Sequence, residues 1–104
     1  MIKTNMTIGL PFNSEQPLNK ISLYFPESTQ IISVDTKKGK PILYINFSAN
    51  TEMFASNLWK EISFFVHKCN SVEVDLSKLI YIGEINVGND LYEVYYTKGL
   101  IADY

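Results

Sequence analysis

The chain has 104 residues, 46% of them hydrophobic and 19% charged, with a net charge of −2. That length suits one domain built on a single core, spanning residues 1–104, and that balance excludes long disordered stretches. All nine basic residues are lysine and none is arginine, the favoured bidentate reader of phosphate and guanine, which weakens any model of sequence-specific DNA binding but leaves room for a small phosphate site built from lysine and backbone N–H groups.

Met1 to Phe12 reads as an N-terminal arm or edge strand. Its apolar run Met6-Thr-Ile-Gly-Leu10 is stopped by Pro11, which cannot donate to a ladder. Asn13 to Pro17 is a polar loop. From Lys20 to Phe25 the residues alternate, with Ile21, Leu23 and Phe25 on one face of a half-buried strand. Pro26 to Thr29 is a turn.

Ile31 to Phe47 is the organising element. Two β-rich runs flank Lys37-Lys-Gly-Lys-Pro41, the sequence form of a hairpin with Gly39 at the position needing positive φ. The returning run carries Leu43, Ile45 and Phe47 on one face and Ile42, Tyr44 and Asn46 on the other. Apolar groups on both faces predict a central strand, or one whose second face is covered by a helix or a partner subunit. Met53, Phe54 and Leu58 recur at helical spacing, so a short helix is expected near 50–59.

Glu61 to His67 returns to strand alternation and Lys68 to Ser71 is a turn. Val72 to Leu76 is expected to form a short strand. The run from Lys78 to Val87, Gly88-Asn-Asp90 and the tyrosine-rich run to Thr97 form a second hairpin over 78–97. Residues 98–104 are a tail. The fold class is therefore mainly β: an antiparallel sheet of about six or seven strands built from two hairpins, with at most one short helix.

Catalytic chemistry finds little support. His67 and Cys69 stand alone as histidine and cysteine, too few for a metal site and without an orienting third group for a nucleophile pair. Glu84 and Glu93 lie on opposite arms of the last hairpin and could approach each other, although acids on strands are more often solvated. No glycine-rich phosphate loop is present. The expectation is a non-enzyme with no cofactor and no metal. One cysteine precludes an internal disulfide, no apolar run reaches the ~18–20 residues that span a bilayer, and Thr4, Asn5 and Thr7 interrupt any signal-peptide core. A cytoplasmic protein without membrane partners is expected. The aromatics are more suggestive: tyrosines on strands, with Trp59 nearby, could stack on bases while lysines take phosphates.

Three stretches together carry a resemblance: Ile31-Ile-Ser-Val-Asp-Thr-Lys-Lys-Gly-Lys-Pro-Ile-Leu-Tyr44, Glu61-Ile-Ser-Phe-Phe-Val66, and Leu79-Ile-Tyr-Ile-Gly-Glu-Ile-Asn-Val-Gly-Asn-Asp-Leu-Tyr-Glu-Val94, with Leu10-Pro11 and Ile21-Ser-Leu23 upstream. With them the chain resembles a family of small phage-encoded β-rich domains of uncharacterised function. Val66-His67-Lys68-Cys69 stands where the family pattern has a Thr-Gly-His loop, and Glu84 follows Gly83 where the pattern has threonine. The resemblance implies a phage origin, the cytoplasm of an infected bacterial host, and a role against host defence. One such role is that of the phage anti-defence nucleotide sponge, a homo-oligomer that sequesters a cyclic di- or trinucleotide of host immune signalling without catalysis. For that role the candidate ligand-binding residues are Tyr44, Trp59, His67, Lys68, Tyr81, Tyr92 and Lys98. The alternatives are direct inhibition of a host defence protein through the tyrosine-rich hairpin or an edge strand, and a structural or accessory phage role.

Overall fold

A computed structural model describes residues 2–49 and 59–97. Seven strands follow one another in the chain: β1 (Ile2–Gly9), β2 (Leu18–Pro26), β3 (Gln30–Lys37), β4 (Lys40–Ala49), β5 (Trp59–Lys68), β6 (Ile80–Val87) and β7 (Asp90–Tyr96). They form two antiparallel sheets, one of order β1-β4-β3 and one of order β2-β5-β7-β6. The mainly β expectation holds, with seven strands divided between two sheets. No helix occurs among the described residues; the helix expected near 50–59 falls outside them except for Trp59, which opens β5. The tail over 98–104 is also outside them.

Local chemistry explains both hairpins. Lys37 pairs with Lys40, leaving Lys38 and Gly39 as a two-residue loop with φ of 53° and 74°. Positive φ at both positions makes a type I′ turn, whose twist matches that of the strands. At the second hairpin Val87 pairs with Asp90, and only Gly88 of the loop has positive φ (64°), the pattern of a type II′ turn. Lys38 is a lysine in a left-handed conformation, where asparagine is better tolerated. Lys38→Asn is expected to stabilise the fold by several tenths of a kcal/mol and Gly39→Ala to destabilise it by about 1 kcal/mol. Urea unfolding of the two variants would show shifts of opposite sign; shifts of the same sign would refute this reading of the turn.

The two-faced apolar strand predicted for 42–47 is central, as β4, between β1 and β3. One face supplies Leu43 and Ile45 to the core. The other face is only partly covered, with Ile42 half-buried and Tyr44 exposed. From the four-stranded sheet, Ile62, Phe64 and Val66 of β5, Tyr92 and Val94 of β7 and Ile85 of β6 enter the same core. Phe64 sits between the rings of Phe25 and Tyr96, at centroid distances of 6.0 and 6.3 Å.

The sheets meet along β3 and β6, each an edge of its own sheet. A methyl group added at Gly83 would stand 3.4 Å from Val34 Cγ1, so the side-chain-free backbone admits this approach. Both strands carry a bulge there, with Ile32 and Ile82 as the extra residues. Bulges bend and twist a strand, which suits two edges that must lie against each other. At the other end the β1–β2 connection closes the core. Asn13 N–H donates to Asn19 Oδ1 and Asn19 Nδ2 donates back to the Asn13 carbonyl, both at 2.9 Å, which places Phe12 edge-on to Tyr92 at 4.8 Å.

One expected strand is absent. Val72 to Leu76 forms an irregular connection, although Val72, Val74 and Leu76 alternate. Its polar groups are engaged locally by side chains. The Val72 carbonyl accepts from His67 Nε2 at 2.7 Å, and Asp75 Oδ1 accepts from the backbone and hydroxyl of Ser77 at 3.0 and 2.6 Å. Such bonds compete with a ladder. They also hold the Asp75 carboxyl below its ordinary range, the Ser77 hydroxyl contributing most.

Candidate functional site

Strand alternation fixes which side chains leave the core. With Phe64 and Val66 inward, Phe65 and His67 face out; with Tyr92 and Val94 inward, Glu93 and Tyr95 face out. Register then brings unlike chemistry together. Glu84 is directly opposite Glu93, His67 is opposite Glu93 on the other side, and Tyr81 is opposite Tyr95. The carboxylates considered as a possible pair from sequence are thus cross-strand partners, an arrangement that destabilises a ladder unless something compensates.

Glu93 is the hub of this face. Tyr95 Oη donates to its Oε2 at 3.3 Å, and His67 Nδ1 lies 3.8 Å from its Oε1. The Val72 carbonyl can only accept, so His67 Nε2 carries a proton and Nδ1 is left facing Glu93, buried and without a hydrogen-bond partner. Tyr81 and Tyr95 pack with ring centroids 5.3 Å apart at 60°. Partial burial first, and then the neighbouring Glu84 and Glu93, push the Tyr81 hydroxyl above its ordinary range; for Tyr95 burial and then Glu93 do the same. The Cys69 thiol is raised by burial, then by Glu93 and Glu84. The connection from β5 to β6 borders this face and encloses an open cleft of about 950 Å³ lined by His67, Glu73, Val74, Asp75, Glu93 and Tyr95, among others.

Of the seven residues expected to bind a ligand, the six that are described do not converge. His67 and Tyr81 reach this face; Lys68 is opposite Tyr92, on the other side of β5, with Nζ 3.4 Å from Asp90 Oδ2. Tyr44 lies on the outer side of the three-stranded sheet, opposite Thr7 and beside Ile32. Trp59 begins β5 opposite Pro26 and is 42% exposed. Lys98 is outside the described residues. Tyr92 is a correction: at 0% exposure, with its hydroxyl donating to the Ser14 carbonyl at 3.4 Å, it is a core residue with no ring face to offer a base.

The electrostatics of the outer face also differ from the expectation. Glu73, Asp75 and Glu93 line the cleft and Glu84 adjoins it, while Lys68 is already paired. At an effective dielectric of ~20, a phosphate charge about 5 Å from one carboxylate meets about 3 kcal/mol of repulsion. This face suits a cation.

A second cavity, of about 340 Å³, opens between the sheets where β3 begins. Thr29, Gln30, Ile31, Ile32, Lys60, Ile62 and Tyr96 line it. Sequence reasoning missed Lys60, although the alternation Lys60, Ile62, Phe64, Val66 places it on the core-facing side of β5. Among the described residues no group of histidine, cysteine and carboxylates is arranged to hold a metal, and no helix is long and apolar enough to cross a membrane. No protein-family model, no curated protein and no solved structure matches the chain.

Proposed function

We propose that this chain is a binding protein without catalytic activity, a phage anti-defence module that engages a basic surface of a host defence protein. The supporting observation is the opposed Glu84–Glu93 pair flanked by Tyr81 and Tyr95. Carboxylates beside tyrosine rings receive lysine or arginine side chains through ion pairs and cation–π contact. Val72 and Val74, 47% and 38% exposed, add apolar contact area at the rim. The host setting rests on the family resemblance, and the choice of a protein partner over an anionic ligand at this face rests on its charge.

The test is a charge swap in the exposed connection, Glu73→Lys with Asp75→Lys, which leaves the strands untouched. The wild-type protein is expected to capture one defined host protein in a salt-sensitive manner that added nucleotide does not change. The swapped variant is expected to lose that capture by tenfold or more. Equal capture by both proteins would refute docking at this face.

A second reading, sequestration of a cyclic signalling nucleotide, is favoured by the other cavity, which has a lysine and no carboxylate among its described lining residues. A homo-oligomer accompanies either reading. Ile32 and Tyr44, both exposed, offer it an apolar surface on the outer side of the three-stranded sheet.

A further inference from the structure

Lys60 occupies an unusual place. It shares the core-facing side of β5 with Ile62 and Phe64, and it is half-buried. Its Nζ donates to the Thr29 carbonyl at 3.4 Å, and among the described residues it forms no ion pair. An ammonium removed from bulk water without a counter-charge is unfavourable, and the usual remedy is an anion. Beside it, Thr29 is 6% exposed and its Oγ1 is buried with no hydrogen-bond partner. A hydroxyl in that state is destabilising relative to an apolar group of the same shape. Among the described residues, two incompletely satisfied polar residues thus line one cavity.

The remaining lining supplies a different chemistry. Ile31, Ile62 and Tyr96 are apolar or aromatic, and the Tyr96 ring is braced by Phe64. Gln30 adds a side chain that can both donate and accept hydrogen bonds. The volume of about 340 Å³ lies at the small end of the ~300–1,000 Å³ typical of ligand sites.

We propose that this cavity binds one nucleotide unit, with a phosphate oxyanion on Lys60 Nζ and the Thr29 hydroxyl and the base against Tyr96 and the isoleucines. The anion subsite follows from Lys60 and Thr29 alone; the base rests on the sequestration reading. The site is separate from the acidic outer face, so a protein partner and a nucleotide can be held at the same time.

The test uses the full chain and amide-resolved NMR titration with inorganic phosphate, a nucleoside, a nucleoside monophosphate and a cyclic dinucleotide. The monophosphate is expected to shift the amides of Thr29, Lys60 and Tyr96, with the nucleoside and phosphate each at least tenfold weaker. Lys60→Met, which keeps the stem and removes the charge, is expected to weaken the monophosphate by tenfold or more. Thr29→Val is expected to weaken the monophosphate while raising the melting temperature of the unliganded protein, an outcome that a purely structural role for the hydroxyl does not produce. No amide shift at this cavity with any of the four probes at millimolar concentration, or undiminished affinity in Lys60→Met, would overturn the site. Cyclic dinucleotide binding that Lys60→Met leaves intact would retain sequestration and overturn this site. Monophosphate binding without cyclic dinucleotide binding would retain the site and overturn sequestration of a cyclic signal.

Discussion

Phe64→Ala is expected to lower the stability of the fold by about 3–5 kcal/mol, the largest loss from any single truncation considered. Phe64 has no exposed surface, and its ring spans the interior between Phe25 and Tyr96. Removing it leaves a cavity between two sheets that cannot easily collapse, because β5 is held by β2 on one side and β7 on the other. Domains of this size have about 5–15 kcal/mol in total, so a large share would be lost and the melting temperature should fall by roughly 15 °C or more. Phe64→Leu retains most of the volume and should lose less than half as much. Thermal and urea unfolding of both variants checks the pair. Equal losses for alanine and leucine would show that ring contacts, rather than the filled volume, dominate at this position.

Stability is expected to fall as the solution is made alkaline. Cys69, Tyr81 and Tyr95 all hold their protons more tightly in the folded protein than their ordinary pKa values of 9.0 and 10.0 would have it. In the window between those values and the raised folded values, the unfolded chain has released protons that the folded chain retains, so raising the pH favours unfolding. The contribution is complete below about pH 8 and is lost as the pH rises past the ordinary values toward the raised folded ones. Tyr81 is half exposed, so solvent screens its share. Burial is the first cause for each group, and Glu93 is the one carboxylate that acts on all three. Glu93→Gln should therefore shallow the alkaline loss without abolishing it. The same change relieves the like-charge pair with Glu84 and should raise stability near neutral pH by a few tenths of a kcal/mol. Unfolding followed at a series of pH values tests both parts. A flat profile up to pH ~11, or a steeper one for Glu93→Gln, would contradict this account.

Much of the fold was legible because its signals are local. Lys38-Gly39 and Gly88-Asn89 mark turns through backbone sterics, and a strand apolar on both faces implies a central position, which β4 holds. The division into two sheets was not legible, because it depends on β2 finding β5 rather than its sequence neighbour β3, a pairing that no short window encodes. Val72 to Leu76 failed for a related reason: alternation describes side chains, whereas a strand also needs a ladder partner for its backbone, and there His67 supplies a side-chain partner instead. For the candidate site, composition identified tyrosines as important without saying which face holds which. Tyr92, Val94 and Tyr96 share one side of β7 and Glu93 and Tyr95 the other, and both sets look amphipathic. Lys60 was within reach of alternation reasoning once the strand was extended by one residue toward Trp59.

The strand pairing also bears on how the chain assembles. During synthesis β1 and β2 emerge first, yet neither pairs with the other; β1 waits for β4, and β2 waits for β5. The β3–β4 and β6–β7 hairpins can close as soon as each is made, because their partners are adjacent. The earliest strands therefore remain unpaired longest, and their hydrogen-bonding groups are held open until the central strands arrive. Slow folding with late docking of the N-terminal segment is the kinetic consequence, and a chaperone that shields β1 and β2 would act at the most vulnerable interval.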